Sequence, residues 1–310
     1  MRIAFIADIH GNFPAFMHVY KDAIKNGVDK FIFVGDYIFD MPFSNETAHF
    51  LMKLDNAHVI KGNKEMYLAR LANDNQETWI YNQMGVIYQT YRDLAPDARD
   101  YLNNLADELY MQVNPSLSIY AAHVPGFLKQ GTKTNCNSSN YHRKMMTKPF
   151  THEEFLLEFN DIINTDACKA HINQIDANII VFGHNHLQSH AYCGNKLILN
   201  PGSCGLPLDF NRAASYTILD ETKGKLTVIE KRVPYDVEAT ITQIKKSILY
   251  EKGKIWSDLI ILALKTGRDY IGFFFEIAGK IASSKHEKGP FFSNETWQEA
   301  NEAFSIAYLT

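Results

Sequence analysis

Asp8 and His10 stand two residues apart, directly after the apolar run at residues 3–7. A carboxylate and an imidazole leaving the end of a buried strand together can hold a divalent cation or move a proton. The arrangement recurs along the chain. Asp36 follows the run at 31–35, Asn63 follows 59–62, and His123 follows 119–122. His184 and His186 follow the run at 179–183. Carboxylate oxygen and imidazole nitrogen suit hard or borderline divalent metals. Two metals roughly 3.5–4 Å apart can clamp the attacking and departing oxygens of a phosphoryl transfer. A single Asp after the second run is placed to bridge such a pair, between ligands from the first and third runs.

The elements that must position these groups alternate. A helix is expected from Pro14 through Ile24, because Pro suits a first helical position and Asn26-Gly27 supplies a stop. Further helical patterns run near Glu46 to Leu54, from Glu65 to about Leu71, from Glu77 to Tyr91, and from Pro96 through Leu105. Strands alternating with helices argue for a layered α/β fold. Between His123 and Gly183 lies a polar excursion of roughly sixty residues, against a usual connection of ~4–6. Its composition makes 135–140 a loop and Glu153 to Ile163 a helix. Insertions of this length tend to carry lids or binding loops. After His186 come hairpin-like strands at 196–199, 215–219 and 226–230, the last two joined by a turn at Gly224. From Asp236 the pattern is helical to the end, apart from a Gly289-Pro290 break.

Bulk properties narrow the classes. The 310 residues, 46% of them hydrophobic, are enough for one large α/β domain with an appendage. The net charge of −4, without a long basic block, does not favour a stable nucleic-acid partner. The four cysteines (136, 168, 193 and 204) have neither disulfide-framework nor Cys-zinc spacing. The apolar stretch before Asp8 is too short for a secretion signal, and that at 259–264 is too short for the ~20 residues that span a bilayer. A cytoplasmic protein without membrane contact is expected.

The ordered set Asp-x-His-Gly, Gly-Asp, Gly-Asn-x-Glu, a strand-terminal His and Gly-His-x-His resembles the calcineurin-like metallophosphoesterases. Asn200-Pro201-Gly202-Ser203 is similar to a further mark of their small bacterial branch, which includes phosphodiesterases and asymmetric diadenosine tetraphosphate hydrolases. The resemblance implies a four-layer α/β/β/α sandwich of two mixed sheets flanked by helices. It covers residues 1–235, leaving an insertion at about 127–175 near the site and a helical extension over 236–310. It implies that Asp8, His10 and His186 bind a first metal, that Asp36 bridges, and that Asn63, His123 and His184 bind a second. Manganese or iron is favoured by analogy, and zinc, nickel or magnesium would also suit the donors. The implied reaction is in-line attack on phosphorus by a hydroxide bridging the metals. The expected substrate is a small phosphorylated molecule, a phosphodiester or a dinucleoside polyphosphate. A phosphomonoesterase, including a Ser/Thr protein phosphatase, is the runner-up, and a non-catalytic scaffold on the same fold is the rival from another class. Oligomeric state has no signature in the sequence.

Two positions depart from the family pattern. Lys64 replaces the usual His in Gly62-Asn63-Lys64-Glu65, and His123-Val124 replaces His-Gly. A lysine is a poor proton donor near neutral pH, with an ordinary pKa of about 10.4, but a good cation for a phosphate or leaving oxygen. Lys64 and His10 are therefore expected to stabilise the leaving oxygen, with Asp36 completing the catalytic set. Asn63 is placed near the phosphate, and Asn12 either contacts the phosphate or supports the metal ligands from behind. His142, Arg143 and Lys144 in the insertion form a candidate basic clamp on the substrate. Residues 273–275, three phenylalanines, are expected to pack a helix onto the core.

Overall fold

The structure is a computed structural model, and it describes residues 1–128, 151–222 and 224–308. Strands β1 (Arg2–Ile6) and β2 (Lys30–Val34) pair in parallel, Ile3 opposite Lys30. Both are apolar on successive residues because both of their faces are covered. A parallel pair needs a crossover, and α1 (Phe13–Lys25) supplies it, with Pro near its start and Asn26 at its C-cap. β3 (Ala57–Ile60) extends the sheet in parallel beyond β2.

The second sheet is built from β4 (Glu108–Asn114), β5 (Leu117–Ala122), β6 (Ile179–Val181), β7 (Gln188–Cys193) and β8 (Lys196–Pro201). Its order is β4-β5-β6-β8-β7. The hairpin of β9 (Ala214–Thr222) and β10 (Lys225–Val233) returns to the first sheet, giving β10-β9-β1-β2-β3. Both five-stranded sheets are mixed. Between them lies a dry layer in which Phe5, Val34 and Ile60 meet Ile119, Val181 and Leu199.

Helices cover the two outer faces. On the first sheet α1, α2 (Ser44–Leu51), α3 (Asn63–Leu71), α4 (Gly85–Asp93) and α5 (Pro96–Asn103) bury Phe16, Leu51, Leu68 and Leu102 around Phe31 and Phe33. On the second, α6 (His152–Ile163) and α7 (Asp166–Ile172) bury Phe155, Phe159 and Ile172 against Phe182 and Ile198. The four-layer expectation holds. The described part of the long excursion is thus mainly the helical crossover that parallel β5 and β6 require, with Thr151 and Glu154 closing a capping box at its start. The loop at 135–140 and the basic residues His142, Arg143 and Lys144 lie outside the described residues.

The helix expected over Glu77–Tyr91 is broken into turns at Gln76–Thr78 and Asn82–Met84 before α4. Trp79 stacks on Tyr88 with ring centroids 4.7 Å apart. In one continuous helix those residues would be separated by about 13 Å of rise. Burial of the Trp79 ring therefore overrides the helical pattern.

The C-terminal region forms α8 (Val237–Lys246), α9 (Ile248–Lys252), α10 (Lys254–Thr266), α11 (Tyr270–Ser284) and α12 (Asn294–Tyr308). Ile241, Ile244, Ile260 and Leu264 pack on Met41, Leu206 and Leu208, which lie in the loops after β2 and β8. The extension is therefore seated at the end of the sandwich where the strand-end ligands emerge. Its outer half has its own core of Leu259, Phe274, Ala278, Trp297 and Phe304. Of the three adjacent phenylalanines, Phe274 is buried, whereas Phe275 is 37% exposed. Among the described residues, no helix is long and apolar enough to cross a membrane.

Phe274 is fully buried, with its ring centroid 4.6 Å from that of Trp297. Phe274→Ala is expected to cost about 3–5 kcal/mol of stability by urea denaturation, with the fastest added hydrogen exchange in α10 to α12. A loss below about 1 kcal/mol would show that these helices do not depend on that core.

Candidate metal centre

The ligand-bearing strand ends share an unusual backbone. Asp8, His10, Asp36, His184 and His186 have φ of 55°, 52°, 59°, 73° and 61°. Left-handed conformations are uncommon outside glycine, and Asp and His are among the residues that accept them most readily. Such residues gather at sites where the surrounding fold holds them in place. Here they turn the chain sharply out of the sheets, so that side chains from both sheets face one cleft. Two glycines allow the close approach. A Cβ on Gly35, at φ +88°, would sit 2.6 Å from the His123 ring, and one on Gly62 would sit inside the Asp36 carboxylate.

Two donor groups result. Asp8, His10 and His186 form one, and Asp8, Asp36 and His123 the other, with the potential ligand atoms of each within 4.8 Å of one another. The Nε2 atoms of His10 and His186 are 3.0 Å apart. The far nitrogen of each ring is held by an acceptor. His10 Nδ1 lies 2.6 Å from Asp40, His186 Nδ1 2.6 Å from the Leu206 carbonyl, and His123 Nδ1 2.6 Å from the Val34 carbonyl. A proton at Nδ1 meets each acceptor and leaves Nε2 to face the carboxylates, as metal-binding imidazoles are commonly oriented. Asn63 Oδ1 is 2.9 Å from His123 Nε2 and 2.9 Å from His184 Nδ1. The seven sequence-predicted metal residues therefore converge on one cleft, and their donor set fits divalent cations.

The charges support that fit. Burial disfavours ionised Asp36, but His123, His10 and Lys64 outweigh it and hold the carboxyl well below its usual range. Asp8 is likewise lowered despite burial, by His186, His10 and His123. Burial opposes protonation of His10, yet Asp40, Asp8 and Asp36 raise its pKa to about 9. Asp36 and Asp8 similarly outweigh burial to raise His123 to about 10. Burial lowers His184 to about 4, helped by charge on His123, and lowers His186 to about 4, helped by charge on His10. Protons on two imidazoles thus balance the carboxylates, a task that divalent cations would take over with release of those protons.

Two residues of the site, Glu65 and Asp40, carry no assigned role in the sequence pattern. Glu65 is fully buried and accepts N–H bonds from Asp36 at 3.0 Å, Tyr37 at 2.9 Å and Gly62 at 2.8 Å. It ties the loop after β2 to the loop after β3 and so fixes Asp36 beside Asn63. Asp40, buried, contacts His10 Nδ1, receives the Trp256 indole N–H at 2.8 Å, and pairs with Lys64 Nζ at 3.1 Å. Burial opposes its ionisation, but Lys64 and His10 hold it well below the carboxylate range. Lys64 is 12% exposed and does not extend into solvent. Burial works against its charge, and Asp40 and Asp36 more than compensate, so its pKa is raised. Its ammonium is held at the edge of the cleft by Asp40.

Of the two places expected for Asn12, the structure puts it behind the ligands and not at the phosphate. It is fully buried and caps α1 by accepting from Ala15 N–H, while its amide donates to the Gly205 carbonyl and Tyr235 hydroxyl. Those bonds occupy the amide and make it a support for the His10 loop. The turn after β8 acts similarly: Ser203 donates to the Asp8 carbonyl at 2.6 Å, and Asn200 to the Gly183 carbonyl at 3.0 Å.

Two mixed sheets with carboxylates and imidazoles converging from their strand ends define a metal-binding α/β sandwich. The chain belongs to the calcineurin-like phosphoesterase family, whose sequence pattern it matches over residues 1–188. An uncharacterized protein of Methanocaldococcus jannaschii is 23% identical over 256 residues, 80% of this chain and 94% of that one. The fold is similar to that of a metallophosphoesterase from Sphaerobacter thermophilus, with a TM-score of 0.59 and 19% identity, covering 86% of this chain and 99% of that one. It is also similar to a hypothetical protein from Pyrococcus horikoshii, with a TM-score of 0.59 and 18% identity, covering 86% and 98% respectively.

The triple clamp at Glu65 is directly testable. Glu65→Gln keeps the shape but turns one acceptor into a donor facing backbone N–H groups. A loss of about 2–3 kcal/mol in urea denaturation is expected. A change below about 0.5 kcal/mol would mean that the clamp does not hold the two loops.

Proposed function

We propose that this chain is a two-metal hydrolase of phosphoester or phosphoanhydride bonds, acting on phosphodiesters or dinucleoside polyphosphates. The observation that carries the reading is the convergence of Asp8, Asp36, His10, His123 and His186, with three imidazoles anchored at Nδ1 so that Nε2 faces the carboxylates. In the proposed assignment Asp8, His10 and His186 hold one cation, Asn63, His123 and His184 the other, and Asp36 both. Manganese or iron is the proposed occupant. Such cations supply Lewis acidity and make a water-derived nucleophile available near neutral pH.

The chain's own residues do the rest. Glu65 sets Asp36 against Asn63 through three backbone bonds. Asp40 orients the His10 ring and places the Lys64 ammonium at the edge of the cleft. A fixed cation there stabilises charge developing on phosphoryl and leaving oxygens without moving during the reaction. Residues 1–235 act as the catalytic domain, and 236–310 close the cleft beside Lys64 through Trp256. A cavity at that point gives the second substituent of a diester somewhere to go, which supports diesters over monoesters.

The test is a metal-by-substrate screen with bis-p-nitrophenyl phosphate, p-nitrophenyl phosphate and diadenosine tetraphosphate. Manganese-loaded protein is expected to prefer the first and third, and Asp36→Asn to lower kcat more than about 100-fold. Full activity in Asp36→Asn would overturn the bridged two-metal reading, and preference for the monoester would make the chain a phosphomonoesterase. No transition-metal binding would point to a scaffold. Lys64→Ala is expected to lower kcat about 100-fold with a much smaller change in KM, and an unchanged kcat would remove Lys64 from the mechanism.

A further inference from the structure

Beside the metal cleft lies a cavity of about 480 Å³, bounded at one end by Asn63 and Lys64. Helix α3 supplies Tyr67 and Arg70 to its lining, and the C-terminal extension supplies Trp256, Phe275 and Phe291. The volume is in the range that encloses most of a small organic ligand. Two of its aromatics keep much of their rings open to solvent. Tyr67 is 36% exposed and Phe275 37% exposed, although both carry large apolar rings. The Trp256 indole is pinned by its N–H bond to Asp40, lies 5.7 Å from the Lys64 ammonium, and meets Phe275 edge-on at 6.1 Å. The Arg70 guanidinium lies over the Tyr67 ring at 5.9 Å.

We infer that this cavity is a nucleobase subsite for a nucleoside phosphate or nucleoside diester, whose phosphate reaches Asn63 and Lys64. The inference rests on the proposed phosphoesterase reading and specifies its substrate. The chemistry of the lining selects the ligand. Planar bases stack on aromatic rings and on arginine planes, and such stacking is sequence-tolerant and strong. Asp74, also on the lining, offers a carboxylate to a base edge, and Gln83, whose Oε1 accepts the Phe292 N–H, offers its amide nitrogen. An alkyl chain would gain nothing from Arg70, Asp74 or Gln83. Because Asp40 holds Trp256 in place, that part of the wall is preformed, which lowers the ordering cost of binding. The phosphate end and the aromatic end are joined through one carboxylate, so a base in the cavity and a phosphate at Lys64 are held in fixed relation.

The experiment titrates adenosine 5′-monophosphate, ribose 5-phosphate and inorganic phosphate into manganese-loaded full-length protein by calorimetry. The wild type is expected to bind the adenosine nucleotide at least about tenfold tighter than ribose 5-phosphate. Phe275→Ala, outside the catalytic set and on a partly exposed ring, is expected to bring that ratio close to one while phosphate affinity stays unchanged. Phe291→Ala provides the same readout if Phe275→Ala fails to fold. Equal affinity of the wild type for the nucleotide and the ribose phosphate would overturn the subsite and leave the phosphoesterase reading intact, as would a ratio that survives both variants. Failure of inorganic phosphate and of both esters to bind would overturn the phosphoesterase reading and the subsite with it.

Discussion

Four carboxylates, Asp8, Asp36, Asp40 and Glu65, are packed almost without solvent at one end of a sandwich, and each must be neutralised or hydrogen-bonded where it stands. Unpaired, any one of them would cost several kcal/mol. The fold answers each differently. Asp8 and Asp36 face imidazoles from both sheets, Asp40 faces a lysine, an imidazole and an indole, and Glu65 is met by backbone N–H groups alone. In that last solution three backbone N–H groups fill most of the carboxylate's acceptor positions and tie it to the loops. The cage is therefore divided into two supporting carboxylates, Asp40 and Glu65, whose donors are already in place, and two, Asp8 and Asp36, that face the imidazoles. The two sheets cannot slide relative to each other without separating Asp8 from His186, whose Nε2 is 3.5 Å from its carboxylate.

Much of the cage was legible because each ligand follows an apolar run, and a buried parallel strand leaves that run uninterrupted in the sequence. The order of the motifs then identified the fold and its layers. What could not be read was whatever depended on distant partners. Asp40 lies in a loop without periodicity, and the residues that give it meaning are Lys64 and Trp256, far away in sequence. β7 was missed because its buried Gln188 and Ser189 carry polar side chains, with Gln188 donating to the Tyr216 carbonyl. Hydropathy cannot distinguish a satisfied buried amide from a loop residue. β4 was missed for the opposite reason: it is an edge strand whose exposed positions alternate with half-buried ones. Phe275 shows the same limit at the level of one residue, since three consecutive phenylalanines look alike until the helix gives each a separate direction.

The C-terminal helices turn a metal cage into a site with a side. Met41, Leu206 and Leu208 extend apolar surface out of the loops after β2 and β8, and the extension covers it with Ile241, Ile260 and Leu264. In doing so it brings Trp256 to Asp40, so the same packing that stabilises the extension orients the buried carboxylate behind His10 and Lys64. Loosening of this layer would be felt at the cleft through one hydrogen bond of 2.8 Å.

The left-handed backbone at Asp8, His10, Asp36, His184 and His186 has a consequence for how this site can change over generations. At those positions the chain conformation and the chemistry favour the same few residue types, so drift toward glutamate or another larger ligand is opposed twice, by strain and by loss of coordination. Lys64 stands in the first turn of α3, where the backbone is helical and most side chains are tolerated. It is also one of the two positions at which this chain departs from the expected pattern. Substitution is therefore easier on α3, at the edge of the cleft, than at the left-handed positions of the cage, where the backbone itself opposes it.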